Sequence, residues 1–276
     1  MSDKKILTIQ DISCVGQCSL TVALPILSSC GHETCVIPSA VLSTHTYGFR
    51  GYTFRDLTDD LPLIQKHWES EKIDFDVVYT GYLGSTKQID IIKELVSSRL
   101  KEEGLFVVDP AMADHGKLYT GFDQEYVDSM KKLCFSADII LPNITEACLL
   151  TDSEYKTEYD QVYIEKLINE LVRKGAKTVI LTGVSYNKET TGVIVYDQNK
   201  IEYYQHKLIE KGCHGTGDVY ASAFVGSLMA GKDMYEAAKI AADYTLLCIE
   251  TTQEDKEHWY GVKFEKCLPE LIKKIY

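Results

Sequence analysis

The chain has 276 residues, with 29 Lys and Arg against 41 Asp and Glu for a formal net charge of −12, and 45% of its residues are apolar. That balance belongs to a soluble globular protein and excludes a disordered chain. The acidic surplus argues against a nucleic-acid partner, because duplex binding needs cations spread along a surface, yet it leaves room for a nucleotide, which needs only local N–H groups, a metal and one or two cations.

Short apolar runs alternate with segments of helical period from the first residues onward. KILTI reads as a strand, Ser19 to Ser29 as a helix, TCVIP as a strand and Asp56 to Glu69 as a helix. DVVYT, a helix over Thr86 to Lys101, LFVVD, a helix over Gln124 to Leu133 and ADIILP continue the series. This pattern predicts an α/β fold with a mostly parallel sheet covered by helices on both faces. After a helix over Ile164 to Lys174 comes TVILTG, and then GVIVYD and KIEYYQHK are close enough to pair as a hairpin at the sheet edge. Gly215 to Ala230, Asp233 to Glu250 and Phe264 to Ile275 read as helices with no strand between them, a helical cap on one face. No linker or internal repeat interrupts the chain, so a single domain over residues 1–276 is expected.

The N-terminus MSDKKILTIQD has too few apolar residues for a signal peptide or a spanning helix, and a cytoplasmic protein with no membrane partner is expected. Nine cysteines, without a CxxC pair, read as reduced thiols. Cys14 and Cys18 form a CxxxC, which is a weak metal signal beside the reading as buried thiols.

Ligands of open α/β sheets collect at the carboxyl ends of strands. There the segment EKGCHGTGDVYASAF places two glycines around Thr216 before a helix, so backbone N–H groups and a positive helix end converge on one point, an anion site. Asp218, in the first helical turn, can receive a proton from an attacking hydroxyl; equally, it can be a helix-start residue after a glycine turn. The helix terminus is expected to lower its pKa. In LPNITEA, Asn143 and Glu146 share one helix face, suited to magnesium waters and phosphates, and are also the pattern of a capping box. Asp109 ends LFVVD, either as a ligand or as an Asp-Pro turn. His45 and Thr46 in STHTYG and Tyr82 in TGYLGS are candidates to surround a small ring, or a polar loop and ordinary packing.

Taken together and in this order, TIQD, STHT, TGYLGS, VVDPAM, ADIILPNITEA, VILTG and CHGTGD resemble the ribokinase superfamily, and within it the pyridoxal kinase branch. The resemblance runs nearly end to end and implies a ribokinase-like three-layer α/β/α fold. It implies Asp218 as catalytic base, Gly215, Thr216 and Gly217 as the anion hole for the γ-phosphate, and Asn143, Thr182, Gly183 and Gly217 as nucleotide contacts. Asp109 and Glu146 take the magnesium role; a monovalent cation near Thr182 is a further implied partner. His45, Thr46 and Tyr82 surround the pyridine ring. Asp11 stands where many pyridoxal kinases carry a ring-touching serine, and Ser13 is nearby to substitute.

The implied activity is ATP-dependent phosphorylation of the 5′-hydroxymethyl group of pyridoxal, pyridoxamine or pyridoxine in vitamin B6 salvage, by a homodimer. The HG before TGD resembles hydroxymethylpyrimidine kinases, which commonly carry cysteine where Asp218 stands, so thiamine-pathway kinase activity is the near rival. A pyridoxal- or nucleotide-binding protein without turnover is the rival from another class. Cys213 beside the site reads as a loop cysteine or an aldehyde-reactive thiol, and the hairpin or the loop Gly48 to Arg55 is expected to supply a flap.

Overall fold

The computed structural model describes residues 4–209 and 213–276. Glu210, Lys211 and Gly212, which open the glycine-rich segment, lie outside the described residues. The frame is a nine-stranded sheet in the order β11-β10-β9-β8-β5-β4-β1-β2-β3. Its parallel centre comprises β1 (Lys5–Ser13), β2 (Glu33–Leu42), β4 (Phe75–Thr80), β5 (Leu100–Val108), β8 (Ile139–Ile140) and β9 (Thr178–Val184). The expected hairpin, β10 (Thr190–Asp197) and β11 (Lys200–Lys207), runs antiparallel on one edge. On the other edge β3 (Phe54–Asp56) pairs antiparallel with β2, and β6 (Ala113–Asp114) and β7 (Lys117–Leu118) form a separate ribbon.

Strand alternation sends side chains into two cores, one on each face of the sheet. One core lies under α2 (Leu61–Ser70), α3 (Thr86–Arg99), α4 (Gln124–Cys134), α5 (Ile144–Thr151) and α6 (Gln161–Arg173). The other lies under α1 (Leu20–Ser29), α7 (Thr216–Met229), α8 (Met234–Gln253) and α9 (Leu268–Ile275), the last preceded by a 3₁₀ turn. The C-terminal helices therefore close one face, as their uninterrupted run predicts.

Capping chemistry decides where helices begin, and there some boundaries differ from the sequence reading. The helix expected from Asp56 starts only at Leu61: Asp56 Oδ1 accepts the Thr58 N–H at 2.6 Å in a local turn, and Pro62 sits in the first helical turn. Residues 54 and 55, the end of the anticipated flap loop, belong with Asp56 to the exposed edge strand β3. In α6 the Asp160 carboxylate caps the Tyr163 N–H at 2.9 Å, starting the helix three residues early.

Connectivity positions the site. β1 lies between β2 and β4, so the chain winds outward to β3 and then returns to the other side of β1. That reversal opens a crevice at the carboxyl ends of β1 and β4. Among the described residues no helix is long and apolar enough to cross a membrane.

Candidate active site

Asp218 sits in the first turn of α7 behind a turn whose pivot, Gly215, has φ +86°. A Cβ on Gly215 would stand 2.2 Å from the Gln17 carbonyl oxygen, so the turn needs glycine both for its left-handed backbone and for its approach to the β1–α1 loop. Thr216 opens the helix, and Gly217 is exposed with open space where a side chain would be. The expected anion cradle is thus present as backbone. Gly215→Ala should cost about 2 kcal/mol or more of stability and most of the turnover. Gly217→Ala should leave the melting temperature unchanged, which thermal unfolding of the two variants checks.

The electrostatics of Asp218 correct one expectation. Its pKa is not lowered by the helix end but pushed up to about 7, because burial penalises the charged form and the nearby Asp109 and Asp11 carboxylates repel it, against a hydrogen bond from the Ser19 backbone. Desolvation and like charge outweigh the partial charge of one helix terminus. Ser19 itself adopts φ 53°, strained backbone at the mouth of the site.

Asp109 directly follows β5, and its N–H donates to the Thr80 carbonyl at 2.9 Å. Strand parity turns its side chain toward α7, because Val107 two residues earlier packs in that core. Its carboxyl is pushed well above the usual range by burial and by the neighbouring Glu146. Glu146, 2% exposed, is raised likewise by burial, while the N–H groups of Asn143 (2.9 Å) and Met112 (3.0 Å) stabilise its charge.

Asn143 and Glu146 do form a full capping box: Asn143 Oδ1 accepts the Glu146 N–H at 2.9 Å, and Asn143 Nδ2 donates to the Ala113 carbonyl at 2.8 Å. Thr182 is the bridge partner of Asn143, its N–H donating to the Pro142 carbonyl at 2.9 Å. Gly183, with φ +73°, is an exposed bulge where the register of β9 against β10 slips.

Asp109 and Glu146 fit a magnesium ion by their chemistry. Both are hard oxygen donors; burial raises each carboxyl and the Glu146 charge raises Asp109 further, a cost of ionisation that a divalent cation removes. Among the described residues no set of three His, Cys, Asp or Glu side chains is placed to hold a metal; Mg²⁺ is ordinarily bound through one or two carboxylates and completes its shell with phosphate and water.

The β1 end supplies Asp11, 6% exposed, opposite a slip of register against β2. Ser13 Oγ donates to Asp11 Oδ2 at 3.0 Å, which ties the serine to the aspartate. Burial raises the Asp11 carboxyl, and its field reaches Asp218, Tyr82 and His45. The Tyr82 ring stacks 5.5 Å from Phe122, which stacks 3.7 Å from Tyr126, so the wall expected from one tyrosine is a stack of three rings.

His45 accepts the Tyr47 N–H on Nδ1 (3.2 Å) and lies 3.2 Å from the Tyr260 carbonyl through Nε2. That pairing assigns the neutral Nε2–H tautomer, in agreement with a pKa lowered by burial. Both nitrogens serve the protein, leaving His45 to contact a ligand through its face or edge. Thr46 is exposed.

An aromatic collar escaped the sequence reading. His214 packs against Tyr47 at a tilt of 32° with centroids 3.5 Å apart, Phe49 lies 4.7 Å from Trp259, and Tyr260 joins them. Its only signal was the density of rings in TYGF and HWYG, two segments far apart in sequence. The β1–α1 turn also walls a cavity of about 350 Å³ with Gln17, Thr21, Tyr260 and Glu265, but neither Asp218 nor Asp109 lines it.

The raised acids carry a stability prediction. Between about pH 4 and 7 the unfolded chain has released protons that folded Asp109, Glu146 and Asp218 still hold, so these groups make stability fall as pH rises. The lowered histidines His45, His214 and His258 act in the opposite sense below their ordinary value. Asp218→Asn isolates the carboxyl: relative to the unaltered protein it should gain melting temperature progressively between about pH 4 and pH 7, as thermal unfolding across that range will measure.

A profile of the phosphomethylpyrimidine kinase family matches residues 29–262. A phosphomethylpyrimidine kinase candidate from Bacteroides thetaiotaomicron, crystallised with pyridoxal, is 37% identical with TM-score 0.92 over 98% of this chain and 96% of its own. Pyridoxal kinase from Lactobacillus plantarum is 31% identical with TM-score 0.90, over 99% and 98%. The hydroxymethylpyrimidine/phosphomethylpyrimidine kinase of Haemophilus influenzae is 28% identical over 196 residues, 68% of this chain and 71% of its own. The two solved structures share the sheet and helix layers described above. A glycine turn, a partly buried carboxylate at a helix start and a match over most of the chain lead to one conclusion: the protein belongs to the phosphomethylpyrimidine kinase family of the ribokinase superfamily, phosphotransferases that act on an alcohol group.

Proposed function

We propose that the chain transfers the γ-phosphoryl group of ATP to the 5′-hydroxymethyl oxygen of a vitamin B6 alcohol, yielding pyridoxal 5′-phosphate from pyridoxal and the corresponding phosphates from pyridoxamine and pyridoxine. The observation that carries the substrate is the 37% identical relative crystallised with pyridoxal. The alcohol oxygen attacks the γ-phosphorus, the bond to the β,γ-bridging oxygen breaks, the hydroxyl proton passes to Asp218, and ADP leaves.

An acid raised to about 7 is suited to this step near neutral pH, since it accepts a proton more readily than an ordinary carboxylate. The N–H groups of the Gly215–Gly217 turn receive the phosphate oxygens, with Asn143, Thr182 and Gly183 on the nucleotide side. Asp109 and Glu146 would hold Mg²⁺, which when bound neutralises charge on the phosphates. Asp11, supported by Ser13, and the ring stack of Tyr82 border the acceptor, with His45 and Thr46 on the loop beside it. A cytoplasmic single-domain homodimer, and a monovalent cation near Thr182, belong to the same reading.

The second reading, phosphorylation of hydroxymethylpyrimidine, is favoured by the family profile and by the Haemophilus relative. Release of ADP by purified protein with Mg²⁺ and ATP, measured side by side on pyridoxal, pyridoxamine, pyridoxine and hydroxymethylpyrimidine, tests both. A B6 alcohol is expected to give the highest kcat/KM. Preference for the pyrimidine would overturn the substrate, and absence of turnover on all four would favour a binding protein.

A further inference from the structure

Among the described residues, five helices begin with a side chain that accepts a first-turn N–H: Ser85 for α3, Asp123 for α4, Asn143 for α5, Asp160 for α6 and Asp233 for α8. The helix that carries Asp218 does not. Its cap is Gly215, which has no side chain to offer, so the N–H groups of its first turn are oriented by what holds the turn from outside. On one side the β1–α1 loop does so, through the close approach of the Gln17 carbonyl to Gly215. On the other stands His214, immediately before the cap, whose ring packs against Tyr47 with centroids 3.5 Å apart.

Tyr47 is 64% exposed. A ring so open to water adds little to the core, so burial does not account for its place. The loop that presents it is held firmly. The Tyr47 N–H donates to His45 Nδ1 at 3.2 Å, the other nitrogen of that imidazole meets the Tyr260 carbonyl at 3.2 Å, and Phe49 lies 4.7 Å from Trp259. A Cβ on Gly48 would stand 2.8 Å from the Trp259 ring, so the loop lies directly against that segment. The segment is rooted in turn by buried Val262 and Phe264, and the Phe264 carbonyl accepts from Tyr244 Oη at 3.0 Å. A continuous chain of contacts thus runs from the core, through residues 258–264 and the loop, to Tyr47 and His214.

We propose that Tyr47 is a positioning residue: through His214 it holds the Gly215–Gly217 turn in the orientation that receives the γ-phosphate. The same loop carries His45 and Thr46, so this contact joins the acceptor side of the site to the phosphate side. Phosphoryl transfer depends mostly on positioning, and a small displacement of the cradle is felt chiefly in the transition state. The effect on rate rests on the proposed transfer from ATP to an alcohol; the hold on the turn does not.

Tyr47→Ala should melt within about 2 °C of the unaltered protein, because the side chain is mostly exposed. Its kcat should nevertheless fall about tenfold, the size expected from losing one aromatic pair, with KM for the alcohol within about twofold. Tyr47→Phe keeps the ring and should keep the rate. His214→Ala should lose a similar amount, and the double variant no more than the larger single loss, because Tyr47 acts through His214. A crystal structure of Tyr47→Ala should show residues 214–217 displaced from their positions in the unaltered protein.

A raised KM for the alcohol with kcat intact, losses that add in the double variant, or an unmoved turn would overturn the proposal. If the unaltered protein phosphorylates no alcohol, the proposed function fails on that assay alone, and the crystal comparison still decides whether Tyr47 holds the turn.

Discussion

Asp218→Asn should lower kcat by about 10³-fold, within the range that removal of a general base produces, while substrate binding and the fold persist. Asparagine has nearly the same shape and can still accept the Ser19 backbone hydrogen bond that the carboxylate receives. It also removes a partly buried, repelled charge, so the variant is expected to melt no lower than the unaltered protein at neutral pH. Loss of activity in a protein of equal or greater stability separates a chemical role from a capping role, since loss of a helix-start residue would lower both together. Turnover within a few-fold of the original would remove Asp218 from the mechanism.

Glu146→Ala should be the most destabilising of the substitutions considered, by about 3 kcal/mol or more, because buried N–H groups of Met112 and Asn143 lose their acceptor. The neighbouring Asp109 should then titrate lower, since Glu146 is among the charges that raise it. Glu146→Gln separates structure from metal binding. It keeps the side-chain length and one acceptor oxygen, so most of the stability should remain, but it carries no charge for a cation. If it turns over only at raised magnesium concentration, Glu146 serves the metal; if magnesium dependence is untouched, the capping box is its whole function. Chemical denaturation and a magnesium titration of initial rates supply the two measurements.

Much of this architecture was legible from local pattern. The apolar runs KILTI, DVVYT and LFVVD are parallel strands because each is buried by helices on both faces, and the uninterrupted helical period after residue 215 placed the last helices together. GTGD was legible because φ above zero at Gly215 leaves a residue-level trace. Helix starts were less so. Asp56 and Asp60 are the same residue type four positions apart, and only the turn closed by the Thr58 N–H decides which one precedes the helix.

The sign of the Asp218 shift could not be read locally, because it depends first on burial by the folded sheet and then on two carboxylates that arrive from β1 and from the end of β5. The aromatic collar joins residues 45–49 to 214 and 258–260 for the same reason. By itself the chain order determined which groups could do phosphoryl transfer, since residue type and backbone freedom are local properties. Tertiary structure alone decided how acidic those groups are and which share a corner, because desolvation and Coulomb energy depend on distances that only the folded sheet creates.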